Sequence, residues 1–129
     1  MGKDYKIWHR LKTLINNDKP RTYFYEGEIW FCNLGLNIGV EQDGKGVQYL
    51  RPIIVLKKFN HKMLWVIPLT KRIKSGLGNY SVYSRPNVLN TALLFQMKLI
   101  DSKRLKYKIG FVSVGDLIEI KIKLKQMLE

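Results

Sequence analysis

The sequence is short of the residues that build disulfides, metal sites and membrane spans. It contains one cysteine, Cys32, which cannot form an internal disulfide and which, in an apolar segment, is predicted to be a buried core residue. The two histidines, His9 and His61, have no acidic partner nearby in the sequence. No apolar run is long enough to span a membrane, and the start, MGKDYKIWHRLK, lacks the apolar stretch of a secretory signal. We therefore expect a cytoplasmic protein without metal or cofactor.

Acidic residues are scarce as well. The 129 residues include 10 Asp and Glu against 23 Lys and Arg, a formal net charge of +13. Such a surface favours a polyanionic partner, with nucleic acid first and anionic lipid or an acidic protein as alternatives. A lysine-rich surface that serves only solubility is the remaining possibility.

The apolar pattern predicts a helix, six strands and a second helix. Ile7, Leu11, Leu14 and Ile15 form the apolar stripe of a helix over residues 4–16, with Trp8 and His9 flanking it. Strands are predicted at 28–34, 52–58, 62–69, 80–84, 91–97 and 107–112. Short connections favour antiparallel pairing, so we predict a small, strongly bent, barrel-like sheet.

The second helix has a clear start signal. Ser113 and Asp116 form the pattern of a capping box, which places the beginning of a helix directly after Ser113. Apolar residues then recur on one face as far as Met127.

Two polar side chains stand at predicted strand ends. Arg51 lies where a polar loop enters an apolar strand, and its permanently charged, forked guanidinium suits a phosphate or carboxylate. Thr70 closes another strand, and its hydroxyl, next to Lys71, can bind a phosphate oxygen. The alternatives are an Arg51 ion pair with an acidic residue of the preceding loop, and an ordinary strand end at Thr70.

Two polar pairs could surround these residues. Glu41 and Gln42 lie in the loop before Arg51 and offer an acceptor and an amide, enough to read a base edge; the alternative is an ordinary polar turn. Gln96 and Lys98 interrupt the apolar run ALLFQMKLI and would share a face if strand alternation continues. The alternative is that the strand has already ended.

Six segments in order carry a resemblance to a known family. GEIWFCNLG, GVEQDG, LRPIIVL, IPLTK, ALLFQMKLID and SKRLKYKIG resemble the MazF/PemK toxins of bacterial type II toxin–antitoxin systems. The resemblance covers about residues 26–128 and implies a mainly β (α+β) fold. This fold is a small SH3-like antiparallel β-barrel with a C-terminal helix, here preceded by the N-terminal helix. We accordingly divide the chain into a helical extension and linker at 1–25 and a barrel domain at 26–129.

The resemblance implies a metal-independent, sequence-specific endoribonuclease, an mRNA interferase. Such enzymes cleave single-stranded RNA through attack of its own 2′-hydroxyl and usually leave a 2′,3′-cyclic phosphate and a 5′-hydroxyl. The implied partners are single-stranded RNA, an acidic antitoxin and a second copy in a homodimer. The alternative is a catalytically inactive nucleic-acid-binding protein or a gyrase-targeting toxin on the same fold.

The family's site residues can be carried over by motif. The arginine of its RP motif corresponds to Arg51 and its strand-end threonine to Thr70, which makes these two the implied catalytic residues. The implied substrate-binding residues, with Lys71 added for a flanking phosphate, are Glu41, Gln42, Lys71, Gln96 and Lys98. The chain departs from the family in a longer loop before Arg51, in a lysine at 98 where arginine is usual, and in residues 1–25, which have no counterpart.

Overall fold

The computed structural model describes residues 5–18, 21–34 and 50–129. Within these ranges, two helices flank seven strands, with short 3₁₀ turns at Leu94–Gln96 and Ser102–Arg104. The elements are α1 (Tyr5–Asp18), β1 (Glu28–Asn33), β2 (Leu50–Lys58), β3 (Met63–Thr70), β4 (Asn79–Arg85), β5 (Val88–Leu93), β6 (Lys98–Asp101), β7 (Leu105–Phe111) and α2 (Val114–Met127). None of these helices has the length and apolar character needed to cross a membrane.

All strand pairs are antiparallel, in the order β4-β5-β3-β2-β1-β7, with β6 also paired to β3. Besides β2, strand β3 pairs with two further strands along its length. Its first half pairs with β6, where Val66 lies opposite Lys98, and its last two residues pair with β5, where Thr70 lies opposite Thr91. The predicted bent antiparallel sheet with a helix at each end of the chain is confirmed.

Apolar side chains pack against both faces of the central strands. Trp30 and Ile53 belong to one buried cluster, and Ile29 and Ile54, their neighbours in sequence, belong to the other. Cys32 is fully buried in the first cluster, as predicted. Burial on both faces explains why these strands have nearly continuous apolar sequences rather than an alternating pattern.

The strand predicted at 91–97 is wrong in its extent, and β6 was not predicted. β5 ends at Leu93, the chain turns through Leu94–Gln96, and a new strand begins at Lys98. The turn is needed because β5 reaches only the end of β3, whereas β6 pairs with its first half. Gln96 and Lys98 therefore lie in different elements, and strand alternation does not relate their side chains.

The N-terminal helix contacts the rest of the protein through Trp8, which the sequence placed beside the apolar stripe. Trp8 is only 8% exposed, whereas Ile7, a member of the predicted stripe, is 51% exposed. The Arg104 guanidinium lies 5.5 Å from the centre of the Trp8 ring. Further along, Arg21 forms an ion pair of 2.9 Å with Asp101. An aromatic ring beside a cation therefore contributes to the attachment of α1.

The C-terminal helix begins as predicted. The Ser113 hydroxyl accepts a hydrogen bond of 3.0 Å from the Asp116 backbone N–H. The Asp116 carboxylate accepts a 2.8 Å hydrogen bond from the Tyr80 hydroxyl, and this bond raises the pKa of Tyr80 to about 12. Together with the buried Ile120, this contact ties α2 to the second core cluster and to β4.

Candidate active site

Arg51 is held at the beginning of β2, beside the end of β3. It pairs with Cys32 of β1, and its side chain is almost buried, with the residue 7% exposed. Its Nη1 donates a hydrogen bond of 3.3 Å to the carbonyl of Leu69, the residue before Thr70. The structure therefore brings Arg51 and Thr70 to the same end of the β2–β3 pair.

Thr70 is fixed by the turn that follows it. Its Oγ1 accepts a hydrogen bond of 3.3 Å from the Arg72 backbone N–H. Thr91 of β5 pairs with Thr70. The Thr91 hydroxyl donates to the Arg72 carbonyl at 2.8 Å and accepts from the Lys74 N–H at 3.2 Å. Because the Thr70 oxygen is the acceptor in its bond with Arg72, the hydroxyl proton can be donated to a substrate oxygen.

A cleft of about 210 Å³ opens beside Arg51. Its lining includes the cations Arg51, Lys71 and Arg85, and no carboxylate among the residues described there. The Ser84 hydroxyl hydrogen-bonds the side-chain oxygen of Asn90, which orients that amide. The other lining residues are Phe31, Leu50, Pro52, Leu69 and Ile109. The excess of positive charge in this described lining suits a phosphate.

An aromatic pair adjoins this cleft. The Phe31 ring, which lines it, lies 5.0 Å from the Tyr107 ring at an interplanar angle of 35°. Tyr107 is 47% exposed, so its ring remains accessible. Exposed rings beside a basic cleft can stack unpaired bases of a single strand.

Sequence reasoning missed Ser84, Arg85, Asn90 and Tyr107. A signal was present for Ser84, because it has the same strand parity as the buried Val82 and is therefore a polar residue at an inward position of β4. The others had no such signal. Their approach to Arg51 depends on strand pairings between distant parts of the chain.

The other predicted site residues do not all line the cleft at Arg51. Lys71 lines the cleft, but Gln96 and Lys98 are not among its lining residues. Lys98 instead lines a separate cavity beside α1. Glu41 and Gln42 lie outside the described residues. The substrate-binding roles of Lys71 and of these four residues stay predictions.

Metal coordination has no visible basis in the described ranges, where no group of three or more His, Cys, Asp and Glu could hold an ion. His61 lies in the turn before β3, where its carbonyl accepts a 2.7 Å hydrogen bond from the Ser102 hydroxyl. Neither His61 nor His9 lines the cleft.

The model of the family described as PemK-like, MazF-like toxin of type II toxin–antitoxin system matches residues 25–128. The chain belongs to this family. No curated protein matches the sequence. The match includes every described residue of the cleft and begins after α1, so α1 lies ahead of the family region.

Solved structures share this fold. MazF from Deinococcus radiodurans has a TM-score of 0.69 and 23% identity, covering 83% of this chain and 98% of that one. The MazE–MazF structure from the same organism has a TM-score of 0.64 and 19% identity, covering 83% of this chain and 97% of that one. A mycobacterial endoribonuclease in complex with its cognate antitoxin has a TM-score of 0.63 and 14% identity, covering 82% of this chain and 95% of that one. The mainly β fold of this MazF-family chain is therefore that of MazF.

Proposed function

We propose that this MazF-family toxin is a metal-independent endoribonuclease that cleaves single-stranded RNA, with Arg51 and Thr70 as its catalytic residues. The observation that carries the proposal is the nearly buried Arg51 guanidinium, held beside the end of β3 in a cleft that Lys71 and Arg85 also line. An oriented positive charge of this kind suits the charge that develops on a phosphate during transesterification.

In the proposed reaction, the RNA 2′-oxygen attacks the adjacent phosphorus, and the bond from phosphorus to the 5′-oxygen breaks. Arg51 stabilises the added charge on the phosphorane, and its bond to the Leu69 carbonyl keeps the guanidinium oriented beforehand. Thr70 positions a phosphate oxygen or the 2′-hydroxyl. The 2′ proton passes to a base and the leaving 5′-oxygen gains a proton. The sequence-based candidate for the base is Glu41.

Flanking contacts would hold the rest of the strand. Lys71 and Arg85, both in the cleft lining, bind neighbouring phosphates, and the Phe31–Tyr107 pair stacks on a base. Glu41, Gln42, Gln96 and Lys98 contribute to sequence selection, as the family resemblance implies.

The proposal extends to partners and organisation. The family and the neighbours solved with an antitoxin support an antitoxin partner for this chain. We propose that this antitoxin is acidic, complementary to the net charge of +13, and that the toxin is a cytoplasmic homodimer. We also propose that residues 1–25 are an extension of a barrel domain at 26–129.

The decisive experiment is the Arg51→Ala variant assayed on single-stranded RNA. We expect at least about 100-fold slower cleavage, since removing one donor to a developing oxyanion costs about 2.7–4 kcal/mol. Arg10→Ala, which removes an exposed arginine of α1, is the matched control and should cleave normally. A folded Arg51→Ala protein with normal activity would move the catalytic centre elsewhere.

The same assay in EDTA tests the metal-independent chemistry. We expect unchanged cleavage and products that carry a 2′,3′-cyclic phosphate. Activity that disappears in EDTA and returns with a divalent ion would contradict the mechanism. RNA binding without cleavage would favour an inactive binding protein, and inhibition of gyrase without RNA cleavage would favour the gyrase-targeting alternative.

A further inference from the structure

A second cavity lies between α1 and the barrel. Its volume is about 390 Å³, almost twice that of the cleft at Arg51. This volume is within the range of about 300–1,000 Å³ that is usual for ligand pockets. The family match begins at residue 25, so this cavity combines family residues with Trp8 and Lys12 of the preceding helix.

Three cations from three elements converge on this α1–barrel cavity. They are Lys12 of α1, Lys98 at the start of β6 and Arg104 at the end of the second 3₁₀ turn. Asp101 is the one acidic residue in the described lining, and both its oxygens are engaged. One accepts from the Arg21 guanidinium at 2.9 Å and the other from the Lys103 backbone N–H at 2.8 Å. The described lining therefore carries an excess of positive charge, which suits an anion.

The cavity also has an oriented guanidinium and an apolar wall. Arg104 donates a 3.2 Å hydrogen bond to the Asn33 carbonyl, and its guanidinium lies over the Trp8 ring. A side chain already held in place loses less conformational freedom when it binds a ligand. The apolar wall is formed by Trp8, Leu34, Met63, Leu99 and Ile100. Cations beside apolar surface match the phosphate and the base or ribose of a nucleotide.

The position of the cavity relates it to the Arg51 cleft. Lys98 pairs with Val66, and Thr70 lies four residues further along β3, roughly 13 Å at the rise of a strand. On the other side, Arg104 bonds to Asn33, whose partner Leu50 lines the cleft. One extended polynucleotide can therefore contact both places.

We propose that the α1–barrel cavity is a second subsite for single-stranded RNA, which holds a nucleotide outside the cleavage point through Lys12, Lys98 and Arg104. This inference rests on the proposed function and deepens it, because it assigns part of substrate binding to α1. Its consequence is a length dependence: RNA that reaches the subsite binds more tightly than RNA that covers the Arg51 cleft alone.

The test compares Lys12→Glu with Lys6→Glu, a matched control that reverses the charge of another exposed lysine on the same helix, one that is not among the cavity lining. Binding is measured by fluorescence anisotropy in the Arg51→Ala background, which keeps the RNA intact. The probes are mixed-sequence single strands of about 6 and about 20 nucleotides, lengths chosen to cover one site or both.

We expect Lys12→Glu to weaken binding of the longer RNA by about 5–10-fold and to reduce the slope of log affinity against log salt by about 0.7, the value for one phosphate contact on a single strand. The shorter RNA, and either RNA with Lys6→Glu, should change by less than about twofold, since exposed charges further away are screened. Lys12→Arg should retain wild-type binding.

Several results would overturn the subsite. Equal effects of the two lysine variants, or equal losses on short and long RNA, would show only a general charge effect. Adenosine monophosphate that binds this cavity without competing with the longer RNA would assign it to a free nucleotide. Loss of polyglutamate binding in Lys12→Glu, with RNA binding unchanged, would assign it to an acidic protein.

The outcome also separates the subsite from the proposed function. If the wild type cleaves RNA and Arg51→Ala does not, but Lys12→Glu behaves like Lys6→Glu, the subsite alone fails. If neither RNA binding nor cleavage is found for the wild-type protein, both proposals fail together.

Discussion

Some single residues in this protein connect parts of the chain that lie far apart in the sequence. Glu26 is an example, because it joins three parts of the chain. One carboxylate oxygen accepts a 3.0 Å hydrogen bond from the Lys58 backbone N–H at the end of β2, and the other lies 3.5 Å from the Lys121 ammonium of α2. The hydrogen bond from Lys58 is the main reason that the pKa of Glu26 is lowered, with Lys121 and Lys57 adding to it.

This lowered pKa predicts a pH-dependent contribution to stability. A depressed carboxyl pKa stabilises the fold above the ordinary pKa of glutamate, and the contribution is lost as pH falls through the lowered value. Glu26→Gln should therefore reduce the free energy of unfolding at pH 7, by less than about 1 kcal/mol for so exposed a pair, and have little effect at low pH. Urea unfolding across the pH range measures it. Glu119→Gln, an exposed residue of α2, is the control, and an equal loss at both pH extremes would contradict the assignment.

Helices and strands were the level at which the sequence was most informative. The capping pattern at Ser113 located α2, and apolar runs located β1, β2 and β3, because both signals are local. β6 was missed because Lys98–Asp101 has four residues and follows an apolar stretch that continues through the 3₁₀ turn. The burial of Trp8 was not predicted, because helical periodicity selected Ile7 and could not anticipate that Trp8 would meet Arg104.

The attachment of α1 can be tested through Trp8. Trp8→Ala removes the ring that packs against Arg104 and should detach the helix while the barrel remains folded, since Trp8 is not part of either buried cluster of the barrel. Limited trypsin digestion should then cut at Arg10 or Lys12 well before the barrel is cleaved. Ile7→Ala, a change at an exposed position of the same helix, should leave the digestion pattern as in the wild type. Simultaneous cleavage of helix and barrel in Trp8→Ala would show that the two unfold together.

At the scale of the whole molecule, the charge was predictable and the assembly of the cleft was not. Composition alone gave the net charge of +13 and the expectation of a polyanion. Arg51 and Thr70 were found through strand-end positions and a family motif. Arg85 and Asn90 could not be found, because they reach the cleft only through the pairing of β4 with β5 and of β5 with β3.

Lysines in the cleft and lysines elsewhere on the surface should differ in their effects on the affinity for RNA. Lys71→Ala should weaken RNA binding at all sequences and reduce the salt slope by about 0.7, because it removes one phosphate contact from a single strand. Lys125→Ala removes an exposed lysine of α2 and should change neither quantity appreciably. Affinities measured at several salt concentrations provide the comparison. A selective loss for some RNA sequences in Lys71→Ala would instead make Lys71 a base-reading residue.

The pairing of β1 with β7 has a consequence for the timing of toxin activity during translation. Phe31 of β1 and Ile109 of β7 line the same cleft. After β1 is synthesised, about 80 further residues must be added before β7 is complete, which takes about 4–16 s at the usual rates of synthesis. A ribosome-bound fragment that already contains Arg51 and Thr70 still lacks one wall of the cleft. We therefore expect the nascent chain to be harmless until it is nearly complete, which gives a waiting antitoxin a defined interval in which to meet it.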